Sequence, residues 1–305
     1  MTRTIGIVGA GAVARALAAA LTRRGAPEFH LLVWARRLEA AAAVAQLAQS
    51  GQLVQGRASA AASIGELRHC DVILVAVSDA AIEAVGELLL SEFTTQEPGS
   101  LSFPQAILHT GGARTGEDAL AALASLDTAL GSLHPLVAVS GDAAPAPELF
   151  AGMPFAVEAT TAEATALARD LVGAMGGFEV ELPAAPSRSA AREQKTRYHA
   201  LATMVATGVV TLVDQAAAAM ASADPVERER FRRAYGELAR SAARNVLRDR
   251  GASVLTGAIA RGDDALVDRH LAALAGTPNE PLYRAVESAA RRMLNEPTAE
   301  TPDPS

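Results

Sequence analysis

The N-terminal stretch TIGIVGAGAVARAL constrains the fold more strongly than any other part of this chain. A short β-branched run over residues 4–8 leads into Gly9, Gly11 and Ala14, which form a G-x-G-x-x-A pattern. An alanine-rich helix follows and is predicted to end near residues 24–25. The first glycine permits a tight turn, the second lets a pyrophosphate approach the backbone, and the alanine lets helix and strand pack closely.

The start of that helix adds free N–H groups and the positive end of a helix dipole, both of which favour phosphates. The sequence therefore predicts a Rossmann dinucleotide-binding site; the alternative is a Rossmann-like domain whose ligand site is lost. The residues predicted to contact the cofactor here are Gly9, Ala10, Gly11, Ala12 and Val13.

The first 185 residues alternate between apolar runs and helical patterns. Continuous apolar runs of this kind are typical of a mainly parallel sheet that is covered on both faces. We therefore predict an α/β fold, with a doubly wound Rossmann domain over residues 1–185. The predicted strands cover 29–35, 71–77, 105–110, 128–134, 154–159 and 177–183, and the predicted helices cover 38–50, 80–90, 115–125 and 161–174.

After a linker-like stretch at 183–189 the pattern becomes helical throughout. We predict an all-α domain over 186–295, and a disordered, proline-rich tail over 296–305. The alanine-rich composition of this domain indicates a homodimer. Its predicted helices cover 190–222, 225–250, 263–275 and 281–294.

Charge and cysteine content narrow the class of protein. The chain has 305 residues and a net charge of −7, which argues against nucleic acid as a partner. Cys70 is the only cysteine, so no intramolecular disulfide can form and a reducing compartment is expected. Acidic residues interrupt the apolar run at 71–90, and no signal sequence precedes the first strand. We expect a cytoplasmic protein without a membrane partner, and the histidine spacing predicts no metal.

The second predicted strand ends in the sequence VWARRLEA, with Arg36 and Arg37 where an acidic residue would select NAD. A guanidinium can pair with a phosphate through two hydrogen bonds. The sequence therefore favours NADP, bound as NADPH, over NAD. For Arg37 an ordinary surface position at a helix start is an equal alternative.

Polar residues follow three further predicted strands, where parallel sheets bind their ligands. Ser78 and Asp79 are expected on the nicotinamide side, unless Asp79 only caps the next helix. The predicted substrate contacts at the next two strand ends are His109, Thr110, Gly111 and His134.

Five segments together resemble the bacterial Rossmann-like/DUF2520 proteins: GIVGAGAVARAL, ILHTGGA, GSLHPL, RYHALATMVATGVVTLVD and LTGAIARGDDALVDRHLAAL. These are predicted NADP oxidoreductases related to the pyrroline-5-carboxylate and 6-phosphogluconate dehydrogenase-like superfamily. The resemblance covers residues 4–292. It implies a Rossmann domain, a helical dimerisation domain and an active site between them, and some members act as ketopantoate reductases. The chain departs from the family at Thr207, where Asn is usual, and at Gly111, where Ser is usual.

Lys195 is the single lysine among 27 lysine and arginine residues. It shares one face of a predicted helix with His199 and Thr203, at spacing i, i+4, i+8. In related reductases this helix carries a Lys-x-x-x-Asn pair, which the resemblance places at Lys195 and His199. A lysine can release a proton when hydride reduces C=O or C=N, whereas arginine cannot. The alternative is a solvated lysine beside residues that only pack the helix.

Arg261 is a candidate clamp for a substrate carboxylate, and Asp263 a candidate cap of the following helix. Taken together, the residues predict an NADPH-dependent reductase of a small keto or imino acid. Ketopantoate is favoured, with pyrroline-5-carboxylate or another imine second. The alternative is a non-catalytic NADP(H) sensor or partner-binding protein. The proton donor is left open among Lys195, His199, His109 and His134.

Overall fold

The computed structural model describes residues 2–23, 29–50, 57–95, 103–139, 141, 145–221, 223–249 and 251–296. The chain divides into two compact units, Met1–Thr203 and Met204–Ser305. The division falls inside a long helix, whereas the boundary predicted at residue 185 marks the end of the strands. That domain boundary stays a prediction, and residues 297–305 of the predicted tail lie outside the described residues.

The described part of the first unit contains an eight-stranded sheet with the order β3-β2-β1-β4-β5-β6-β7-β8. Neighbouring strands are parallel except β6 and β7, which are antiparallel. The strands are β1 Arg3–Val8, β2 Phe29–Trp34, β3 Ala58–Ala60, β4 Val72–Val75, β5 Ala106–His109, β6 Ala129–Pro135, β7 Pro154–Ala159 and β8 Phe178–Glu179. The predicted Rossmann-type α/β fold is confirmed.

Burial explains why these strands read as continuous apolar runs. In β4, Val72 and Leu74 join one hydrophobic core while Ile73 and Val75 join a second one. Successive side chains of a strand point to opposite faces, so both faces of the sheet are covered. The helices of this unit are α1 Ala12–Leu21, α2 Leu38–Ser50, α3 Ile82–Thr94, α4 Gly116–Ala119 and α5 Ala162–Ala174.

Several predicted boundaries differ from the structure. The single helix expected over 115–125 is the short α4 followed by a 3₁₀ turn over Ala121–Ser125, and the strand expected over 177–183 is only the two-residue β8. Helix α1 ends at Leu21, and its predicted end at 24–25 lies outside the described residues. The short strand β3 was not marked by its sequence, because Ala-Ser-Ala carries no apolar signal of its own.

Four helices form the rest of the described chain: α6 Arg188–Met220, α7 Pro225–Arg248, α8 Asp264–Leu274 and α9 Asn279–Asn295. Helix α6 starts in the first unit and ends in the second. Side chains fix two helix starts: Asp224 caps α7 ahead of Pro225, and Asp263 accepts a hydrogen bond from the Leu266 N–H at 3.1 Å. The capping role predicted for Asp263 is confirmed.

Helix α6 is the one described helix that is long and apolar enough to cross a membrane, judged by length and composition only. Its most apolar 18-residue window has a mean hydropathy of 1.4, and 6% of that window is buried. This helix, and not the 71–90 run, is therefore the candidate span. Most of the apolar side chains in this window of α6 are therefore exposed.

Candidate active site

The loop after β1 has the geometry of a tight glycine turn. Gly9 has a φ of 126°, in the region that favours glycine, and a Cβ there would lie 2.3 Å from the Ala76 carbonyl oxygen. Its N–H donates to the Trp34 carbonyl at 2.8 Å. The loop is therefore held against the ends of both β2 and β4, and only glycine fits.

The start of α1 is open to an anion. Gly11 precedes the helix, and a Cβ on it would meet no atom within 4 Å. No side chain caps this end and no acidic residue lies in its first turn. Ala14 is fully buried against the sheet, as its predicted packing role requires. These residues fit a dinucleotide: the N–H groups would hold the pyrophosphate, and a bound NADP would supply the redox chemistry.

Two guanidinium groups lie at the tip of β2. Arg36 and Arg37 are both exposed, between the end of β2 and the start of α2. Because the Trp34 carbonyl holds the Gly9 loop, this tip lies beside the predicted pyrophosphate site. The placement suits recognition of a ribose 2′-phosphate.

One row of paired residues crosses four strands, at the last residues of β4 and β5, the middle of β6 and the next-to-last residue of β7. Val75 pairs with His109, His109 with Ser132, and Ser132 with Glu158. Residues that pair directly in a sheet project from the same face, so the last three place polar groups side by side. Lys195 reaches this row from α6, with its Nζ 2.8 Å from the Ser132 Oγ. The row and the lysine form one polar cluster.

The Lys195 ammonium is 2% exposed, so it is desolvated. Burial lowers the pKa of Lys195, and the carboxylates of Glu158 and Asp79 partly oppose that shift. A lowered pKa makes a lysine a better proton donor at neutral pH than a solvated one. The alternative of a solvated first-turn lysine is therefore wrong for this structure.

Ion pairs anchor the start of α6 on the first unit. Arg192 grips both carboxylate oxygens of Asp118, and Arg188 donates to the same group at 3.2 Å. Arg192 is the main reason that the pKa of Asp118 is lowered to about 2. Thr196 also donates to the Ala113 carbonyl at 3.3 Å. These contacts flank Lys195 and fix its position over the strand ends.

His109 is fully buried and has its Nδ1 occupied by the Gly111 N–H, at 3.1 Å. A backbone N–H only donates, so the neutral ring carries its proton on Nε2, which is completely enclosed. Burial first, and Lys195 second, lower the pKa of His109 to about 4, while the Thr115 backbone opposes the shift. At pH 7 His109 is neutral and enclosed.

His134 lies between two side chains of α6. Its Nδ1 is 2.9 Å from the Tyr198 hydroxyl, and its ring is perpendicular to that of His199 with centroids 5.6 Å apart. Burial lowers the pKa of His134 to about 4, with Lys195 and His199 adding to the shift. A Cβ on Gly112 would lie 2.8 Å from the His134 Nε2 and 2.6 Å from the His199 Cδ2. Glycine is required there because both rings pack against it.

Ser78 and Asp79 are exposed at the end of β4. Asp79 is the first residue of a 3₁₀ turn, and the N-cap of the following helix α3 is Ala81, so the helix-cap alternative is not supported. A Cβ on Gly111 would lie 2.3 Å from the Asp79 Oδ1. Glycine in place of the family's usual serine thus lets Asp79 lie against this loop. Thr110 is buried, and its N–H donates to the Val75 carbonyl at 3.1 Å.

The remaining candidates belong to the second unit. Arg261 is exposed in the turn before α8. Thr207 is exposed on α6, and its carbonyl accepts a hydrogen bond from Thr211 at 2.9 Å. Their roles at the site stay predictions. Among the described residues no group of three histidine, cysteine or acidic side chains could hold a metal ion.

Sequence reasoning missed three members of the cluster as chemical groups. Ser132 lies two residues before His134 in a buried strand, and Glu158 is the one acid in the run PFAVEA. A polar residue inside an apolar strand was the available signal for both. For Tyr198, which lies beside Lys195 on the predicted helix, no role other than packing was predicted.

Two family models match the chain. Residues 4–97 match the family described as NADP oxidoreductase coenzyme F420-dependent, and residues 153–290 match the family described as domain of unknown function DUF2520. The first match covers the elements from β1 to α3 of the first unit. The fold and the matched families define an NADP-dependent oxidoreductase. The match over residues 153–290 supports the resemblance to the DUF2520 proteins that the sequence motifs indicated.

Solved structures share the fold over nearly the whole chain. A proposed NADP oxidoreductase from Bacteroides fragilis is 20% identical, with a TM-score of 0.65 over 95% of this chain and 98% of that one. A Thermotoga maritima protein is 18% identical, with a TM-score of 0.65 over 96% and 100%. A pyrroline-5-carboxylate reductase from Streptococcus pyogenes is 16% identical, with a TM-score of 0.61 over 96% and 97%. No curated protein matches the sequence. At these identities the likeness shows the fold alone.

Proposed function

We propose that this protein is an NADPH-dependent reductase of a small keto or imino acid, with Lys195 as the proton donor. One observation carries the proposal: the single lysine of the chain is buried, with its Nζ 2.8 Å from the Ser132 Oγ. NADPH, when bound, supplies the hydride. The Lys195 ammonium gives its proton to the substrate oxygen or nitrogen that gains the electron pair. Lys195 is then neutral, and solvent returns a proton to it before the next turnover.

The other candidate donors fit the role less well. An imidazole must be protonated to act as an acid, and with pKa values of about 4 both His109 and His134 are neutral at pH 7. His199 makes ring contacts with His134, whereas Lys195 hydrogen-bonds to Ser132 in the row of paired polar residues. The catalytic role predicted for His199 therefore ranks second to that of Lys195.

Two substrate classes are compatible with the cluster. The family resemblance favours ketopantoate, and the similar Streptococcus pyogenes structure is a pyrroline-5-carboxylate reductase. Reduction of a carbonyl or of an imine adds one proton to the oxygen or nitrogen while the carbon receives hydride. One lysine can therefore serve either substrate class. Arg261 remains our candidate for the substrate carboxylate.

Replacement of Lys195 tests the assignment. Lys195→Met keeps the bulk and removes the acid, and Lys195→Arg keeps the charge without the releasable proton. We expect both variants to lose about 10²–10⁴ in kcat against ketopantoate and pyrroline-5-carboxylate, followed by NADPH absorbance, with the NADPH Kd unchanged. Arg197→Met is the control, because Arg197 lies two residues away and its side chain is 69% exposed.

Full turnover by Lys195→Met would remove the lysine from the mechanism. Tight NADPH binding by a wild-type protein that reduces neither substrate would favour the sensor alternative. The departures from the usual family residues at Gly111 and Thr207 also favour that alternative.

We also propose that the protein is a homodimer in which a second copy covers the exposed face of α6. Val205, Val209 and Leu212 follow the spacing i, i+4, i+7, and each is at least 43% exposed. Apolar stripes of this kind on a soluble protein mark interaction surfaces.

A further inference from the structure

Two histidine–tyrosine pairs in this chain have nearly the same geometry. The Nδ1 of His134 is 2.9 Å from the Tyr198 hydroxyl, and the Nδ1 of His270 is 2.8 Å from the Tyr283 hydroxyl. The rings are perpendicular in both, at 86° and 82°. The second pair joins α8 to α9 in the second unit. The first joins β6 to α6 within the polar cluster.

In the hydrogen bond between His134 and Tyr198, one of the two groups is the preferred donor. A phenol is a stronger acid than a neutral imidazole, and an imidazole nitrogen is a stronger base than a phenol oxygen. The hydroxyl therefore donates and Nδ1 accepts. Burial raises the pKa of Tyr198 to about 12, so the hydroxyl keeps its proton. Among the described residues that hydroxyl has no other acceptor, so the reversed bond would leave its proton without a protein partner.

An occupied Nδ1 puts the ring proton of neutral His134 on Nε2. That nitrogen makes no hydrogen bond to any described residue and lies beside Gly112. The contrast with His109 is informative: His109 has the same tautomer, yet its Nε2 is completely enclosed. His134 is only partly buried. It presents an N–H donor next to Lys195, whereas His109 does not.

We propose that Tyr198 is a positioning residue that holds His134 as its Nε2–H tautomer, so that His134 donates a hydrogen bond to the substrate atom on which negative charge develops. The donor role rests on the proposed function. A preorganised neutral imidazole can stabilise developing charge without losing its own proton. Lys195 and His134 then divide the work: the lysine transfers a proton and the histidine polarises the bond.

Nitrogen-15 NMR of the full chain labelled at histidine tests the tautomer without any substrate. We expect wild-type His134 at pH 7 to be protonated on Nε2 and unprotonated on Nδ1. Tyr198→Phe should produce a mixture of both tautomers, while Tyr283→Phe should change His270 and leave His134 as in the wild type. A wild-type His134 with its proton on Nδ1, a charged ring, or an unchanged tautomer in Tyr198→Phe would overturn the proposal.

Kinetics separate positioning from structure. We expect Tyr198→Phe to lower kcat about 10- to 100-fold, the usual cost of losing an orienting partner, with the NADPH Kd unchanged. Tyr283→Phe should turn over at the wild-type rate. If the tautomer changes and kcat does not, the bond is structural only and the donor role is wrong. If the wild type reduces no substrate, the proposed function and the donor role fail together, and NMR alone judges the tautomer.

Discussion

The two compact units differ in how they treat apolar side chains. In the first, every residue of β4 and β5 is buried, and two hydrophobic cores cover the sheet. In the second, the buried hydrophobic residues that the structure describes are Ala217, Ala221, Val267 and Ala290. Large apolar side chains are exposed there instead, including Val210, Val226 and Leu247. The first unit has a core of its own, whereas the described part of the second unit exposes most of its large apolar side chains.

Core truncation should show the difference most strongly. Phe155 is fully buried and packs edge-to-face on Phe150 with centroids 5.3 Å apart. We expect Phe155→Ala to lower the free energy of unfolding by about 3–5 kcal/mol, because a cavity is left behind. Val226→Ala in the second unit, at a side chain that is 78% exposed, should change it by less than about 0.5 kcal/mol. Urea unfolding measures both, and similar losses would contradict the contrast.

A charge on the exposed face of α6 should break the proposed homodimer. We expect Val209→Asp to weaken dimerisation at least about 100-fold, or roughly 2.7 kcal/mol, because a carboxylate would be buried without a partner. Light scattering after gel filtration measures the mass. Gln215→Glu is the control, since it adds the same charge at another exposed position of α6.

A wild-type protein that is monomeric at all concentrations would sink the homodimer. Recovery of the wild type in the membrane fraction would instead support a membrane span by α6.

Acid should destabilise the protein through two histidines of the first unit, His109 and His134. Their folded-state pKa of about 4 lies below the ordinary value of 6.5, so the unfolded chain takes up protons first. Stability is then lost as the pH falls from about 6.5 to 4, by up to roughly 3 kcal/mol for each of the two histidines. Asp118 adds a second loss below pH 4, because its folded pKa of about 2 is depressed.

Urea unfolding at pH 7, 6, 5 and 4 measures this decline. His134→Gln should make it shallower. An unfolding free energy that stays constant between pH 6.5 and 4 would show that neither histidine is held neutral.

Much of the site was accessible to sequence reasoning. The glycine loop, the histidines at two strand ends and the single lysine each gave a local signal, and the structure brings His109, His134 and Lys195 into one cluster. Asp118 gave none, because its partners Arg188 and Arg192 lie some 70 residues away in the chain. The three-residue strand β3 also escaped notice.

The sequence by itself determined the order of strands and helices, because burial on both faces of a sheet writes a continuous apolar pattern into each strand. Strand register and tertiary contacts decided which partners the polar residues have. Ser132 acquires a partner only because the pairing of β5, β6 and β7 sets it between His109 and Glu158, with α6 crossing above. Protonation follows from the same contacts, since desolvation and neighbouring charge are properties of the folded chain alone.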